Sequence, residues 1–423
     1  MLIDWQMRWH LSNEEEILIM ISLNEDQTNL CNLLLRWYNA KEKRYFAYSG
    51  AAGTGKTTVM REFVKKLGLS QYQYMCAALI GKAVLVMLQK GLPAKTIHSL
   101  IYDIRWETIA NSLDQKHILE FVLKDSLDPN LKLLVVDEAP MVNDNIISQV
   151  LSFGIPTIFS GDMNQLPPAF GSSSILMNPD FVLSQLMRQS EDDPIVWIAN
   201  KFLYGYRIPY GTYKNCRILD ELELGTNLIT DYDVILCATN RTRELLNQYI
   251  RREILGITRT NIPNINERLI CRQNKWDIML DQFSLTNGTM GKVSDIMIPC
   301  GRGSHKSKTT KFDFIPDYLP DKMWKDLVLD LNYINLPHDE KQYAGFGRGI
   351  KFEYGYVLTT HLSQGSEYDR VLFINEPAFD METRRRLQYT AATRAKKSLD
   401  VLDFTAILYN PNLNKFKRSI DMY

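Results

Sequence analysis

With 423 residues, 45% hydrophobic and 23% charged, the chain has ordinary globular composition and length for more than one packed core. Lys plus Arg and Asp plus Glu each number 49, a formal charge of zero, which argues against a static basic nucleic-acid coat but leaves room for a motor with one cationic channel. No apolar run reaches the roughly 18 residues a membrane span needs.

The chain opens on MLIDWQMRWHLSNEEE, mixed in charge and without the cationic start and apolar middle of a signal peptide. Residues 1–22 read as an extension whose stretch Glu14–Leu23 suits a short helix on the first domain. None of the six cysteines (Cys31, Cys76, Cys216, Cys237, Cys271, Cys300) forms a C-x-x-C pair. The spacing signals no zinc site, and buried thiols in a reducing compartment are expected. The expectation is a soluble, cytoplasmic protein.

Two regions then alternate short apolar strands with helical patterns. In the first the strands are Tyr45–Tyr48, Tyr72–Ala78, Leu131–Val136 and Thr157–Ser160. In the second they are Val234–Ala238, Tyr356–Thr360, Val371–Ile374 and Leu399–Phe404. Such alternation predicts α/β domains, each a parallel sheet covered by helices. Roughly Ile101–Asn130 interrupts the first region. Roughly Asn261–Phe352 interrupts the second, with Gly, Pro, Asn, short β-like runs such as Lys292–Ile298 and the cationic loop GRGSHKSKTTK. It reads as a small inserted β-rich subdomain.

Gly50-Ala-Ala-Gly-Thr-Gly-Lys-Thr57 fits G-x-x-x-x-G-K-[ST], between the apolar run Tyr45–Tyr48 and a helical pattern over Thr58–Leu67. Its glycines let several N–H groups point at one anion, and the following helix adds the positive end of its dipole. Gly53, Thr54, Gly55 and Thr58 would cradle the phosphates of ATP. Lys56 would reach the β/γ-phosphates, and the Thr57 hydroxyl would ligate Mg²⁺. A chance glycine-rich turn is the bland alternative, and the flanking strand and helix argue against it.

Leu133-Leu-Val-Val-Asp-Glu-Ala139 ends a buried strand in two carboxylates, a costly placement unless they serve a cation or a proton transfer. Asp137 would hold Mg²⁺ through its water shell, and Glu138 would orient and activate the attacking water. Solvated acids at a strand end are the rival reading, weakened by the phosphate loop upstream.

The remaining motifs occur as an ordered series: Leu23-Asn-Glu-Asp-Gln27, Gly81-Lys82-Ala83, Thr96-Ile-His-Ser99, Gly161-Asp-Met-Asn-Gln-Leu-Pro-Pro168, Leu186-Met-Arg-Gln189, Ala238-Thr-Asn240, Asn287-Gly-Thr-Met-Gly291, Thr359-Thr-His-Leu-Ser-Gln-Gly-Ser-Glu-Tyr-Asp369 and Tyr389-Thr-Ala-Ala-Thr-Arg-Ala395. With these the chain resembles superfamily 1 helicases (SF1B), within them the phage Dda-like and RecD-like branch, over roughly Leu23–Phe404.

The resemblance implies two RecA-like P-loop NTPase domains, with a short pin inserted in the first and a β-rich, SH3-like insertion in the second. The expected boundaries are 23–100 and 131–184 for the first motor domain and 101–130 for the pin. The second motor domain takes 185–260 and 353–423, and its insertion 261–352. Gln27 would read adenine, whose edge an amide matches. Gln165 would sense the γ-phosphate. Arg188 and Arg394 would act as arginine fingers, although Met187 stands where the family has histidine, so only the arginine role carries over there. Gly365 and Glu367, with Gln364, would face the ribose and phosphates.

Lys82, Thr96, His98, Thr239, Asn240, Asn287, Thr360 and His361 would contact DNA, chiefly its phosphates. A lone histidine such as His98 is otherwise a core or cap residue, and the Ala238–Asn240 and Asn287–Gly291 segments also read as plain turns. Tyr102, Trp106 and Trp276 are candidate stacking residues, and Ile104-Arg-Trp106 a candidate pin tip. The implied function is an ATP-dependent DNA helicase moving 5′→3′ on single-stranded DNA and opening forked duplex. It would be a monomeric motor of phage replication or recombination, working with those proteins in a bacterial cytoplasm. A protein-displacing translocase with weak unwinding and a nucleotide-dependent binding switch remain open, as does RNA as the track.

Overall fold

Four short strands that bury both faces, Tyr45–Gly50, Tyr74–Ala78, Leu133–Val136 and Thr157–Gly161, can only lie side by side under helices, and with an edge strand on either flank that is the arrangement of the first lobe. The computed structural model describes residues 23–51, 53–109, 116–168, 171–185, 193–221, 225–257, 262–281, 283–298, 308–341, 349–377 and 379–404; of 104–109, 116–120, 276, 338 and 339 it describes the backbone alone. The first sheet is wholly parallel, in the order Ala94–Thr96, Tyr74–Ala78, Leu133–Val136, Thr157–Gly161, Tyr45–Gly50, Phe181–Leu183. Helices Glu25–Ala40, Lys56–Leu67 and Gly81–Gln89 cover one face through Leu30, Leu34, Phe63 and Val84. Helices Ile97–Ile101 and Asp144–Ser152 cover the other. Each fully buried Leu or Phe contributes about 1.5–3 kcal/mol.

The second sheet runs Val357–Thr359, Val234–Cys237, Tyr368–Asn375, Ala395–Asp403, Cys216–Leu219, Gly211–Tyr213, parallel except for its last edge strand. Helices Pro194–Leu203 and Met381–Ala392 pack on one face, and Asn240–Tyr249 on the other. The two RecA-like lobes expected from the sequence are thus present. The short strands Ala94–Thr96, Phe181–Leu183, Gly211–Tyr213 and Cys216–Leu219 were not legible as strands. They are three or four residues long and lie at or near the sheet edges.

Between the strands of the second lobe stands a five-stranded antiparallel sheet, Trp324–Asp330, Thr309–Pro316, Met290–Ile296, Arg268–Cys271, Phe352–Tyr354, around Phe312, Phe314, Trp324 and Phe352. The β-rich reading of this insertion holds, and its sheet closes with Phe352–Tyr354, so the chain re-enters the second motor sheet at Val357. In the first lobe, Tyr102–Ile109 pairs with Lys116–Leu123 as a hairpin. Ile104, Arg105 and Trp106 lie within its first strand, opposite Phe121, Glu120 and Leu119, so the expected tip is corrected. The strand runs on past Trp106 through Glu107, Thr108 and Ile109, the last two β-branched and suited to a strand. Among the described residues no helix is long and apolar enough to cross a membrane.

Charge fastens the insertion to the second lobe. Glu353 is buried, bonded by Arg243, with Lys341 Nζ at 3.2 Å and Arg272 Nε at 3.4 Å. Burial raises its carboxyl, but Arg243, Arg272 and Lys341 overcome this and hold it at about 2. Because the folded value lies below the ordinary 4.5, the stabilisation is fully present above that value and is lost as pH falls towards about 2. Glu353→Ala, which strands buried cations, should cost about 3–5 kcal/mol in denaturant unfolding. A loss under 1 kcal/mol (roughly the surface-pair scale) would contradict this account.

Candidate nucleotide cleft and strand groove

The carboxyl ends of parallel strands are where α/β sheets bind ligands, and in the first lobe they gather the charged motifs. After strand Tyr45–Gly50 the loop turns through Gly53 (φ 82°) and Gly55 (φ 80°), left-handed conformations that only glycine adopts freely. A Cβ on Gly50 would lie 2.6 Å from Thr54 Oγ1, so the loop closes only over glycine. Helix Lys56–Leu67 starts directly behind it, placing Thr57 and Thr58 in its first turn. Lys56 Nζ donates to Gly50 O (2.6 Å) and Ala51 O (3.2 Å), folded over the cradle.

Asp137 follows strand Leu133–Val136, and Ser160 Oγ of the neighbouring strand donates to its Oδ1 at 2.8 Å. Glu138 takes a left-handed conformation (φ 52°), strained for a residue with a Cβ. Burial pushes its carboxyl above the ordinary range; Arg394 opposes this, Asp137 adds to it, Lys56 opposes it and Asp162 adds to it. Groups from the phosphate loop and from the far lobe therefore converge on one carboxylate.

The Gly161–Pro168 loop ties the lobes together. Met163 N donates to Ser49 Oγ (3.0 Å) at the base of the phosphate loop. On the other side Tyr389 OH donates to Asp162 Oδ2 (2.5 Å), Leu166 N to Thr390 Oγ1 (3.0 Å) and Gln364 Nε2 to Leu166 O (3.1 Å). Gln165 is buried, its Oε1 without a partner. Arg394 is also buried, its guanidinium donating to Thr390 O, Ser366 O and Thr393 Oγ1, each at 3.2 Å. Arg188 lies outside the described residues; Asp26 accepts from Ser184 N and Gln185 N at 3.0 and 2.9 Å, just ahead of it.

These residues fit ATP with Mg²⁺. The cradle is closed by glycines, an orphaned buried carbonyl (Gln165 Oε1) needs a polar partner, and Thr57 and Asp137 are hard oxygen donors.

Sequence reasoning missed the latch of Asp162, Tyr389, Thr390 and Ser49, although all four lie in or beside quoted motifs. It also placed Gln364 at the nucleotide, whereas its amide bonds across the lobes. Gln27 is likewise turned inward: Nε2 donates to Thr54 O (2.9 Å) and Oε1 accepts from Asn24 N (3.1 Å), bracing the phosphate loop. Glu367 is exposed, and Gly365 brings the second lobe's backbone close to Ala83.

A cavity of about 280 Å³ runs between the first lobe and the insertion, lined by Lys82, Thr96, Ser99, Phe283, Thr286 and Tyr318, among others. A Cβ on Gly81 would fall 2.4 Å from Thr286 Oγ1, so a larger residue would push the walls apart. Lys82 Nζ sits 4.4 Å from the ring centre of Tyr368 and 3.4 Å from its hydroxyl. Thr96 lines the cavity but also caps helix Ile97–Ile101, accepting from Ser99 N. His98 instead packs with Tyr102 (5.7 Å) and Phe121 (6.1 Å), and burial lowers its pKa. Tyr102 is held there by a bond to Gln149. Asn287 is exposed on its turn.

In the second lobe Thr239 is committed to a buried carboxylate. Glu376 accepts from Ala238 N, Thr239 N, Thr239 Oγ1 and Thr242 Oγ1 at 2.5–3.0 Å. Asn240 begins the helix behind it. Thr360 is fully buried, donating to Cys237 O at 3.2 Å, while half-buried His361 next to it has its pKa lowered by burial. The side chains of Trp106 and Trp276 lie outside those described.

If the Gly161–Pro168 loop carries coupling, Tyr389→Phe, which leaves buried Asp162 short of a donor, should reduce strand stimulation of ATP turnover several-fold and leave unstimulated turnover nearly intact. Equal loss of both rates would point to a merely structural bond.

Residues 22–195 match the AAA domain family, and residues 354–402 match the UvrD-like helicase C-terminal domain. The chain is 26% identical over 400 residues to a probable conjugal transfer protein TraA of Sinorhizobium fredii, covering 86% of this chain and 31% of that protein. It is 23% identical over 370 residues to the ATP-dependent RecD2 DNA helicase of Deinococcus radiodurans, covering 84% and 46%. The chain thus spans less than half the length of either. Among solved structures, a Pif1 helicase studied for unwinding of forked double-stranded DNA gives a TM-score of 0.53 at 17% identity, covering 95% of this chain and 98% of that one. Bacteroides Pif1 bound to single-stranded DNA gives 0.50 at 15%, with the same coverage. At such identity these two likenesses speak for the fold.

Proposed function

We propose that this superfamily 1 chain, an AAA domain joined to a UvrD-like helicase C-terminal domain, hydrolyses ATP between its two motor sheets to move 5′→3′ along single-stranded DNA and open forked duplex. The observation that carries this reading is the Gly161–Pro168 loop, bonded on one side to Ser49 and on the other to the Tyr389–Thr390 helix that leads into Arg394. A switch needs only one nucleotide-dependent contact. A loop joining both lobes, with a sensor glutamine and a finger arginine, suits a repeating cycle.

In that cycle Gly53, Thr54, Gly55, Lys56 and Thr58 hold the phosphates, and Gln27 lies beside the adenine. Thr57 and Asp137 would hold Mg²⁺, which neutralises charge on the phosphate oxygens. Glu138 orients a water and takes its proton as the water oxygen bonds to the γ-phosphorus and the bond to ADP breaks. Arg394, with Arg188, stabilises charge on the transferring group. Gln165 turns its buried carbonyl towards the γ-phosphate region and passes the loss of phosphate to the loop between lobes. The lobes then part and close again, and a strand in the Lys82–Thr96 groove advances.

Residues 23–100 with 131–184, and 185–260 with 353–423, are the proposed moving bodies. Lys82, His361, Asn240 and Asn287 would touch the strand, with Thr96, His98, Thr239 and Thr360 shaping its bed. The working form would be a monomer in the cytoplasm, serving replication or recombination of a phage.

The test is ATP turnover with and without single-stranded DNA, paired with unwinding of 5′-tailed and 3′-tailed duplexes. Stimulation by DNA with opening of only the 5′-tailed duplex is expected. An ATPase rate indifferent to DNA would sink the motor, and stimulation without unwinding would leave a translocase.

A further inference from the structure

A second cavity, of about 390 Å³, opens in the second motor lobe between the end of helix Pro194–Leu203 and the start of helix Met381–Ala392. It lies at the carboxyl ends of three parallel strands, reached through Leu219, Asn375 and Asp403. Thr239 and Asn240 follow strand Val234–Cys237 on this same edge. Adjacency is direct, because Glu376, which follows Asn375, accepts from Thr239 N.

The chemistry of its walls is specific. Arg207, Arg384 and Arg385 bring three positive charges against one carboxylate, Asp403, among the lining residues. Arg384 Nε and Arg385 Nε are buried without a partner and Arg385 Nη2 donates only to the weak acceptor Met381 Sδ at 3.3 Å, so both lining guanidiniums keep donor capacity to spare. Tyr206 and Tyr210 lie in the wall yet are 60% and 47% exposed, offering rings to a flat ligand. Lys201 Nζ stands 4.7 Å from the Tyr206 ring centre, and Tyr210 OH is anchored to Asp403 at 3.0 Å, so both rings are positioned. Gln388 Nε2 donates to Asn375 Oδ1 at 2.7 Å, which leaves the Asn375 amide nitrogen to donate and Gln388 Oε1 to accept.

Guanidinium groups for a phosphate, rings for a base face and paired amides for a base edge make one set. We infer that this cavity binds a nucleoside phosphate, as one unit of a strand running on past the second lobe's groove or as a free nucleotide. As a strand contact it rests on the motor reading above and extends the track along the carboxyl edge of the second sheet. Stacking on the rings accepts any base, since every base has a face, and only the amide pair, at a base edge, adds a preference among bases.

The test compares wild type with Arg384→Gln/Arg385→Gln and, separately, Tyr206→Ala, all checked for folding. Binding of oligothymidylates of about 4–16 nucleotides is followed by fluorescence anisotropy at several salt concentrations. Wild type should show an extra step of about tenfold in affinity beyond a threshold length, the scale of one stacked base. Both variants should lose that step and keep wild-type affinity and ATPase stimulation with oligonucleotides below it. The double variant should lower the salt slope on long strands by roughly 0.7, as for one lost phosphate contact. Equilibrium binding of dTMP is the second arm: a wild-type equivalent lost in the double variant, with no length step, identifies a free nucleotide as the ligand. Variants that match wild type in both arms, or that weaken short and long strands alike, overturn the inference while leaving strand-stimulated ATPase intact. A wild type whose ATPase ignores every oligonucleotide fails the motor reading instead, and the dTMP arm then decides the cavity by itself.

Discussion

Arg394→Ala should lower strand-stimulated ATP turnover by about 10³-fold or more. The guanidinium is not a loose surface group. It is buried, and three bonds at 3.2 Å to Thr390 O, Ser366 O and Thr393 Oγ1 hold it in one orientation. Its charge crosses between the lobes, since it opposes the burial-driven rise of the Glu138 carboxyl in the phosphate-loop lobe. A pre-oriented cation stabilises charge that develops on the transferring phosphoryl group without reorganising at that moment. Arg394→Lys should rescue little, because an ammonium cannot serve Ser366 O, Thr390 O and a phosphate oxygen from one planar fork. Loss of the bonds should cost about 1–3 kcal/mol in stability, so each variant is first shown to be folded. The decisive measurement is kcat with saturating DNA beside ATP affinity: kcat should collapse while affinity changes far less. A folded Arg394→Ala protein that turns over normally would remove the finger from the scheme.

Glu138→Gln should lower kcat by about 10²–10⁴-fold, the usual share of general base catalysis. The change keeps the shape of the side chain and deletes its ability to take a proton. The strained left-handed backbone at Glu138, worth about 1–3 kcal/mol, aims the carboxylate at the cleft and stays in the variant. Two pH effects follow from the raised carboxyl. The base works only when ionised, so the acid limb of the wild-type kcat/KM profile, which reports the free enzyme, should lie above the ordinary value of 4.5 and vanish in Glu138→Gln. A carboxyl whose folded value is raised adds stability that is complete below its unfolded value and is lost as pH rises through the folded one. Above the unfolded value, holding Glu138 in its buried place therefore burdens the ligand-free protein, and Glu138→Gln should melt higher than wild type at neutral pH and no higher in acid. A variant that melts lower at neutral pH would show that Lys56 and Arg394 outweigh burial.

The sequence by itself determined the parts whose chemistry is local. A glycine-rich turn between an apolar strand and a helix has few other solutions, so Gly50–Thr57 was legible, as were Asp137 and Glu138 at the end of a strand too apolar to lie anywhere but inside. Strand and helix alternation sufficed for two parallel sheets, and Gly, Pro and short β-like runs for the insertion between them. What only the tertiary structure decided was where polar side chains spend their hydrogen bonds. Thr360, Thr239, Gln364 and Gln27 looked like ligand contacts, yet their donors go to Cys237 O, Glu376, Leu166 O and Thr54 O. The latch from Asp162 to Tyr389 joins residues 227 positions apart, and the clamp on Glu353 draws on Arg243, 110 positions away. A turn is settled by the dihedral preferences of a few neighbouring residues. A buried donor is settled by whichever acceptor the packing of distant elements leaves within 3 Å or so, and no short-range pattern carries that information.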